Sequence, residues 1–179
     1  MDRGAGHIQL IRNGHKSKGA GRSRGIQMLK KITDANMDRY FELSQLYEEE
    51  FAPVTGATKD NSGQYPVSTP IDETHIGYFY CQKGIEVGFV VIGIEKEPYD
   101  VCEFFIHKDF RKKGAGQKLA FGIFDMYSVD WSVKQLPGAE HATKFWLRVI
   151  GEYTANNFTQ HEIEDEKWGK VRMQLFSSK

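Results

Sequence analysis

The chain has 179 residues, enough for one ordinary domain whose core needs no disulfide or metal staple. Its 24 lysines and arginines cancel its 24 aspartates and glutamates, which excludes a uniformly basic nucleic-acid binder and an acidic solvating protein. The balance is uneven: residues 1–25 hold six basic residues against one acid, which leaves the remainder with a net charge of −5.

Those first 25 residues include six glycines and no aromatic side chain, too little apolar surface to offset the entropy of ordering. They read as a flexible basic arm, either a tether for nucleic acid or a membrane surface or an incidental leader. The segment 26–179 reads as a single domain. No apolar run approaches the ~18 residues of a membrane-spanning helix, and the N-terminus lacks the apolar core of a signal peptide. A soluble, cytoplasmic protein is therefore expected.

Residues 26–32 form a first strand candidate, and Thr33 or Asp34 is placed to cap a helix. Met37, Tyr40, Phe41, Ser44 and Tyr47 then recur at helical spacing, ending at the acidic run 48–50. The stretch 52–75 carries Pro53, Pro66 and Pro70 and many small polar residues, which argues for a long functional loop rather than a helix or a central strand. Three strand-like runs follow at 76–82, 85–95 and 99–107, and their short links favour an antiparallel meander. Cys81 and Cys102 lie inside these runs, with no metal-ligand spacing, and are expected to be buried and reduced. The six histidines do not cluster at ligand spacing either, so no metal is expected. Leu119, Ala120, Ile123, Phe124 and Tyr127 share a helical face, residues 131–136 form a strand, and Ala142, Phe145, Trp146, Val149, Ile150 and Tyr153 share the face of a last helix. The regions around Glu162 and 171–176 supply closing strands.

The segment 101–124 carries the chemistry. An apolar strand runs into Arg111-Lys112-Lys113-Gly114-Ala115-Gly116, and a helix starts there. Unpaired amides at a helix start, with the positive end of its dipole, form an anion site, and glycines let a diphosphate approach closely. Lys-Gly-Ala-Gly occurs twice, at 18–21 and 113–116, but only the second copy sits between a strand and a helix. The alternative is a tight turn with a solvated basic rim. A Walker-type loop is excluded because no Gly-Lys-Ser/Thr ending is present, and a Rossmann site would need a parallel sheet from the outset.

This pattern resembles the acetyl-CoA motif of GNAT-type N-acetyltransferases, (Arg/Gln)-x-x-Gly-x-(Gly/Ala), with Arg111, Gly114 and Gly116 in the matching places. The resemblance covers most of residues 26–176. It looks most like a group of uncharacterised acetyltransferases of this type that share runs similar to Phe104-Phe105-Ile106, Gln135-Leu136-Pro137-Gly138, Phe145-Trp146 and Tyr153-Thr154. It implies a mixed α/β fold with a central mixed sheet of about six to seven strands and about four flanking helices. It also implies that the pantetheine arm of acetyl-CoA pairs with the strand backbone at Phe104, Phe105 and Ile106. The diphosphate would then rest on the amides of Arg111, Lys112, Lys113, Gly114, Ala115, Gly116 and Gln117.

Acetyl transfer to an amine needs a neutral nucleophile, and an alkyl ammonium with a pKa of about 10.4 calls for a base at neutral pH. Glu103 and Asp100 are the candidates on the strand. Asp100 matches the place where some histone-acetylating relatives carry a glutamate base, whereas Glu103 lies in an otherwise apolar run that would raise its pKa. Alternation puts Glu103 and Phe105 on one face and Cys102, Phe104 and Ile106 on the other, unless a bulge intervenes. Many relatives carry a tyrosine acid on the last helix, but the matching residue is Trp146, and the usual asparagine at that helix start is Ala139. Tyr153, two turns on, is the substitute candidate, and the thiolate can also leave unassisted.

The expected activity is acetyl-CoA-dependent N-acetylation of a small-molecule or peptide amine by direct attack in a ternary complex, with a homodimer allowed for. A non-catalytic acyl-CoA-binding module is the alternative. Nucleic-acid binding would rest on the arm alone, which lacks interleaved aromatics. The acidic body favours a cationic acceptor, and the long loop 52–75 is the expected cover for it.

Overall fold

The computed structural model describes residues 28–166 and 168–179, so the basic arm lies outside the described residues. Seven strands form one sheet in the order β1-β2-β3-β4-β5-β7-β6. They are β1 (Leu29–Lys31), β2 (His75–Gln82), β3 (Ile85–Gly93), β4 (Tyr99–Ile106), β5 (Asp130–Gln135), β6 (Thr159–Asp165) and β7 (Gly169–Ser177). Among the described residues three α-helices accompany them where about four were expected, α1 (Met37–Thr55), α2 (Ala115–Met126) and α3 (Glu140–Thr154), with short 3-10 turns at Asp34–Asn36 and Lys108–Phe110. The mixed α/β architecture expected from the sequence is present.

The meander β2-β3-β4 is antiparallel throughout. Lys83 (φ 52°) and Gly84 (φ 81°) close its first hairpin, because a two-residue turn that follows the strand twist needs positive φ at both positions. β3 is buried on both faces and accordingly reads as a continuous apolar run. Val90 and Ile92 face one core with α2 and α3, built on Leu119, Ile123, Trp146 and Ile150. Phe89 and Val91 face a second core with Tyr40 and Leu43 of α1. The sheet is thus covered by α1 on one side and by α2 and α3 on the other.

Three details differ from the sequence reading. α1 runs past the acidic cluster to Thr55 and contains Pro53, ending at Gly56 in the left-handed region. Proline is tolerated there because Glu49, whose carbonyl the missing N–H would have served, is on the exposed side. Phe41, assigned to the apolar face, is 45% exposed on α1. Cys81 and Cys102 are free as expected but only partly buried.

The relationship that makes a site is between β4 and β5. They run parallel and pair only at Tyr99 with Trp131, Asp100 with Ser132 and Val101 with Val133. Beyond Val101 they part, and β4 continues alone beside β3.

Candidate active site

The parting begins at a bulge. β3 residues Val91 and Ile92 pair with Glu103 and Val101, so Cys102 is the extra residue on β4. The bulge resets the alternation: Val101, Phe104 and Ile106 belong with the α2/α3 core, while Phe105 joins the α1 core. Glu103 stays with Phe105 on the α1 side, as alternation predicts, and Val101 is the residue that changes face.

A cleft of about 530 Å³ opens where the strands diverge. Its floor is β4 from Asp100 to Phe104 and β5 from Lys134 to Leu136, and its walls include Tyr47 and Phe51 of α1, Ser68 and Thr69 of the following loop, Trp146 of α3 and Trp168 at the β6–β7 turn. Glu103 lies in this cleft with only 3% exposure. Its Oε2 accepts from the Tyr40 hydroxyl at 3.5 Å, and its Oε1 has no hydrogen-bond partner among the described residues. Burial pushes its pKa up to about 7, against the opposing hydrogen bonds from Thr69 and Tyr40 and with a further upward push from Glu48. A carboxylate near neutrality in a cleft is matched to general-base work.

Asp100 also reaches the cleft, but it is engaged: Lys134 Nζ lies 3.2 Å from Oδ2, and the Ser132 hydroxyl donates to Oδ1. Lys134 reaches Asp165 as well, at 3.5 Å, so one cation bridges β4, β5 and β6. Asp100 is thereby placed as a structural partner of Lys134. Tyr153 does not line the cleft. Its hydroxyl donates to Asp125 at 3.1 Å, and its ring packs on Phe121, Phe124 and Phe176.

The glycine turn joins β4 to α2 beside the cleft. His107 N–H bonds Val87 O, so by alternation Phe105 and Glu103 also turn their backbones toward β3, leaving those of Phe104 and Ile106 on the open side. Ile106 O already accepts from Arg111 Nε at 2.6 Å. Phe104 is therefore the position with main-chain groups facing the gap, while Phe105 gives its backbone to β3 and its ring to α1. Arg111 also pairs with Glu50 of α1 at 2.6 Å, which fixes the turn rather than leaving a free cation.

Lys112 (φ 59°) and Gly114 (φ 77°) are both left-handed. A Cβ at Gly114 would meet nothing within 4 Å, whereas one at Gly116 would press on Phe145 at 3.0 Å and approach Phe104 at 3.7 Å. Ala115, Gly116 and Gln117 are the first turn of α2, whose N–H groups have no carbonyl within the helix to bond. An open surface of unpaired amides at a helix N-terminus fits a diphosphate, with Lys112 and Lys113 adjacent. Ala115 is buried, and the Gln117 side chain is turned to Glu152 of α3.

No protein-family model matches the sequence, and no curated protein matches it. Among solved structures, a GNAT-family protein from Bacteroides thetaiotaomicron superposes with a TM-score of 0.59 at 16% identity, over 83% of this chain and 86% of that one. The chain has the GNAT fold. The aminoglycoside acetyltransferase AAC(6')-Ib in complex with coenzyme A gives 0.60 at 14% identity, over 84% and 94%. The ribosomal-protein-S18-alanine N-acetyltransferase from Escherichia coli gives 0.55 at 10%, over 83% and 92%.

Several residues in and beside the cleft were not singled out from sequence. Glu48 is 1% exposed and accepts from the Ser68 amide at 3.1 Å, pinning the loop to α1; its place inside an acidic run hid it. Tyr47 stood in the apolar helix pattern, Phe51 lay past the helix end read from the sequence, and Trp168 and Lys134 had no local signal. No helix among the described residues is long and apolar enough to cross a membrane.

Proposed function

We propose that this chain is an acetyl-CoA-dependent N-acetyltransferase that moves the acetyl group to an amine by direct attack in a ternary complex. The observation that carries the reading is the buried Glu103 carboxylate, with its free Oε1, in the cleft left by the parted β4 and β5 beside the glycine turn. The fold's neighbours include an acetyltransferase in complex with coenzyme A, which supports acetyl-CoA as the co-substrate.

In this reading the diphosphate rests on the amides between Lys112 and Gln117, and the pantetheine runs along the open edge of β4 at Phe104. Glu103 takes a proton from the acceptor ammonium, directly or through water. The neutral nitrogen attacks the thioester carbonyl carbon, the C–S bond breaks, and the nitrogen's second proton passes to the departing thiolate directly or through water, so the products are the acetamide, CoA thiol and a proton held by Glu103. Holding both reactants in one cleft supplies much of the acceleration. Tyr153 is engaged with Asp125, and Trp146 has no acidic proton, so the thiolate leaves without a side-chain acid. Thiolate is a good enough leaving group for that.

The same lack of an acid is what favours the second reading, a non-catalytic acyl-CoA module. Thiol release from acetyl-CoA over a panel of amines, for the full chain and for Glu103→Gln, separates the two. Amine-dependent release that falls in the variant supports transfer, whereas acetyl-CoA binding with no release for any amine supports the module.

A further inference from the structure

We propose that Glu48 is a positioning residue of the Glu103 carboxylate: from α1 it fixes the loop backbone at Ser68 beside that group and holds a second buried carboxylate within electrostatic reach of it. This rests on the transferase reading above and extends the site to a residue outside the cleft lining.

Three side chains of α1 hold the backbone of the loop that follows it. Gln45 pairs with Tyr65 in both directions, its amide donating to the carbonyl oxygen at 2.9 Å and its own carbonyl accepting from the N–H at 2.8 Å. Glu48 Oε1 accepts from the Ser68 N–H at 3.1 Å, and the Tyr40 hydroxyl donates to the Thr69 carbonyl oxygen at 3.2 Å. Ser68 and Thr69 line the cleft, and Thr69 is a hydrogen-bond partner of Glu103. Gln45 serves as an internal control. A neutral amide is enough to grip this loop, so accepting one N–H does not require a charge at position 48. Yet Glu48 is 1% exposed, and burying a second carboxylate near Glu103 costs folding free energy through desolvation and like-charge repulsion. The charge is therefore expected to act on its neighbour.

The groups around Glu103 leave Glu48 as the charge that does so. From α1 Glu103 faces Tyr40, Tyr47 and Glu48, from its own strand Asp100 and Cys102, and across the cleft Lys134 of β5 with Asp165 and Glu166 at the end of β6. Burial holds the Tyr40 and Tyr47 phenols far above their ordinary range and pushes the Cys102 thiol up to about 12, so all three are neutral at working pH. Asp100 and Asp165 are offset by Lys134, and Glu166 is exposed. Beyond the desolvation that dominates, Glu48 pushes the proton affinity of Glu103 upward, while Thr69 and Tyr40 pull it down. Two α1 side chains that place the loop thus act on Glu103 with opposite signs.

The test is Glu48→Gln in the full chain, which keeps a side-chain carbonyl for the Ser68 N–H and removes the charge, beside Glu48→Ala, which removes both. Carbon NMR titrates the Glu103 carboxyl without any substrate, amide exchange reads the Ser68 N–H, and thiol release over a panel of amines gives the pH profile. In Glu48→Gln the Glu103 midpoint is expected to fall by about half a unit or more, with Ser68 exchange within about threefold of wild type, whereas in Glu48→Ala that exchange quickens roughly tenfold. A midpoint that stays or rises in Glu48→Gln overturns the proposal. So does Ser68 exchange that is unchanged in Glu48→Ala, or that is already about tenfold faster in Glu48→Gln, where loosening alone would account for the shift. Should the midpoint fall as expected while the acid limb of kcat/KM stays in place, or should no amine release thiol, the coupling stands and the transferase reading fails separately.

Discussion

The Tyr40 hydroxyl stands 3.5 Å from Glu103 Oε2 and 3.2 Å from the Thr69 carbonyl oxygen. One phenol on α1 thereby ties the carboxylate on β4 to the loop that covers it. Burial and the nearby carboxylates hold the Tyr40 phenol far above its ordinary pKa, so it remains a neutral donor at every working pH.

Replacing Tyr40 by Phe removes a donor that holds the Glu103 pKa down. The carboxyl then titrates higher, and because the base must be ionised, the acid limb of kcat/KM moves to higher pH. A shift of about half a unit is expected, since the hydrogen bond is long. A pH–rate profile of the variant checks this, and a shift toward lower pH would contradict it.

Glu103→Gln separates chemistry from binding. Turnover is expected to fall by about 10² or more, while the acetyl-CoA Kd stays within about twofold, because in the proposed mode the cofactor rests on the turn and the β4 backbone.

The same substitution carries a stability signature. Folding raises the Glu103 pKa from 4.5 to about 7, so its contribution is present in full below pH 4.5 and is lost as the pH rises through 7. The loss is of order 3 kcal/mol across that window. Glu103→Gln is therefore expected to be less stable relative to wild type at pH 4 than at pH 8, where it gains. Urea unfolding at the two pH values reads this directly, and equal stability differences at both would contradict the burial of an ionisable Glu103.

Gly114 and Gly116 fail in different ways when enlarged. At Gly114 a side chain has space but a φ of 77°, so Gly114→Val strains the backbone by about 1–2 kcal/mol and is expected to weaken acetyl-CoA at least tenfold. At Gly116 the obstacle is Phe145, so Gly116→Leu disturbs the α2–α3 contact and lowers thermal stability as well as affinity. Calorimetry paired with thermal unfolding distinguishes the two.

Much of this was legible in the chain because short-range patterns encode it. Two-faced burial of β3 appears as an unbroken apolar run, the hairpin as Lys83-Gly84, and the strand-to-helix turn as Arg111 to Gly116. The bulge at Cys102 was not legible; it moves Val101 to the α2/α3 side, while Glu103 keeps the face of Phe105 that plain alternation predicts. Neither was the fate of Asp100, whose partner Lys134 is distant in sequence, nor that of Tyr153, which lies two turns along α3 from Trp146 and is taken up by Asp125 outside the cleft. Glu48 stood among three consecutive glutamates, and only the α1–loop contact shows which of them is buried.

The central claim is that the turn from Lys112 to Gln117 and the open edge of β4 hold acetyl-CoA, and calorimetric titration of acetyl-CoA into the full chain tests it most directly. Saturable binding to one site per chain is predicted, weakened at least tenfold in Gly114→Val and little changed in Glu103→Gln. An absence of binding at about millimolar acetyl-CoA, or an affinity indifferent to Gly114→Val, would contradict it.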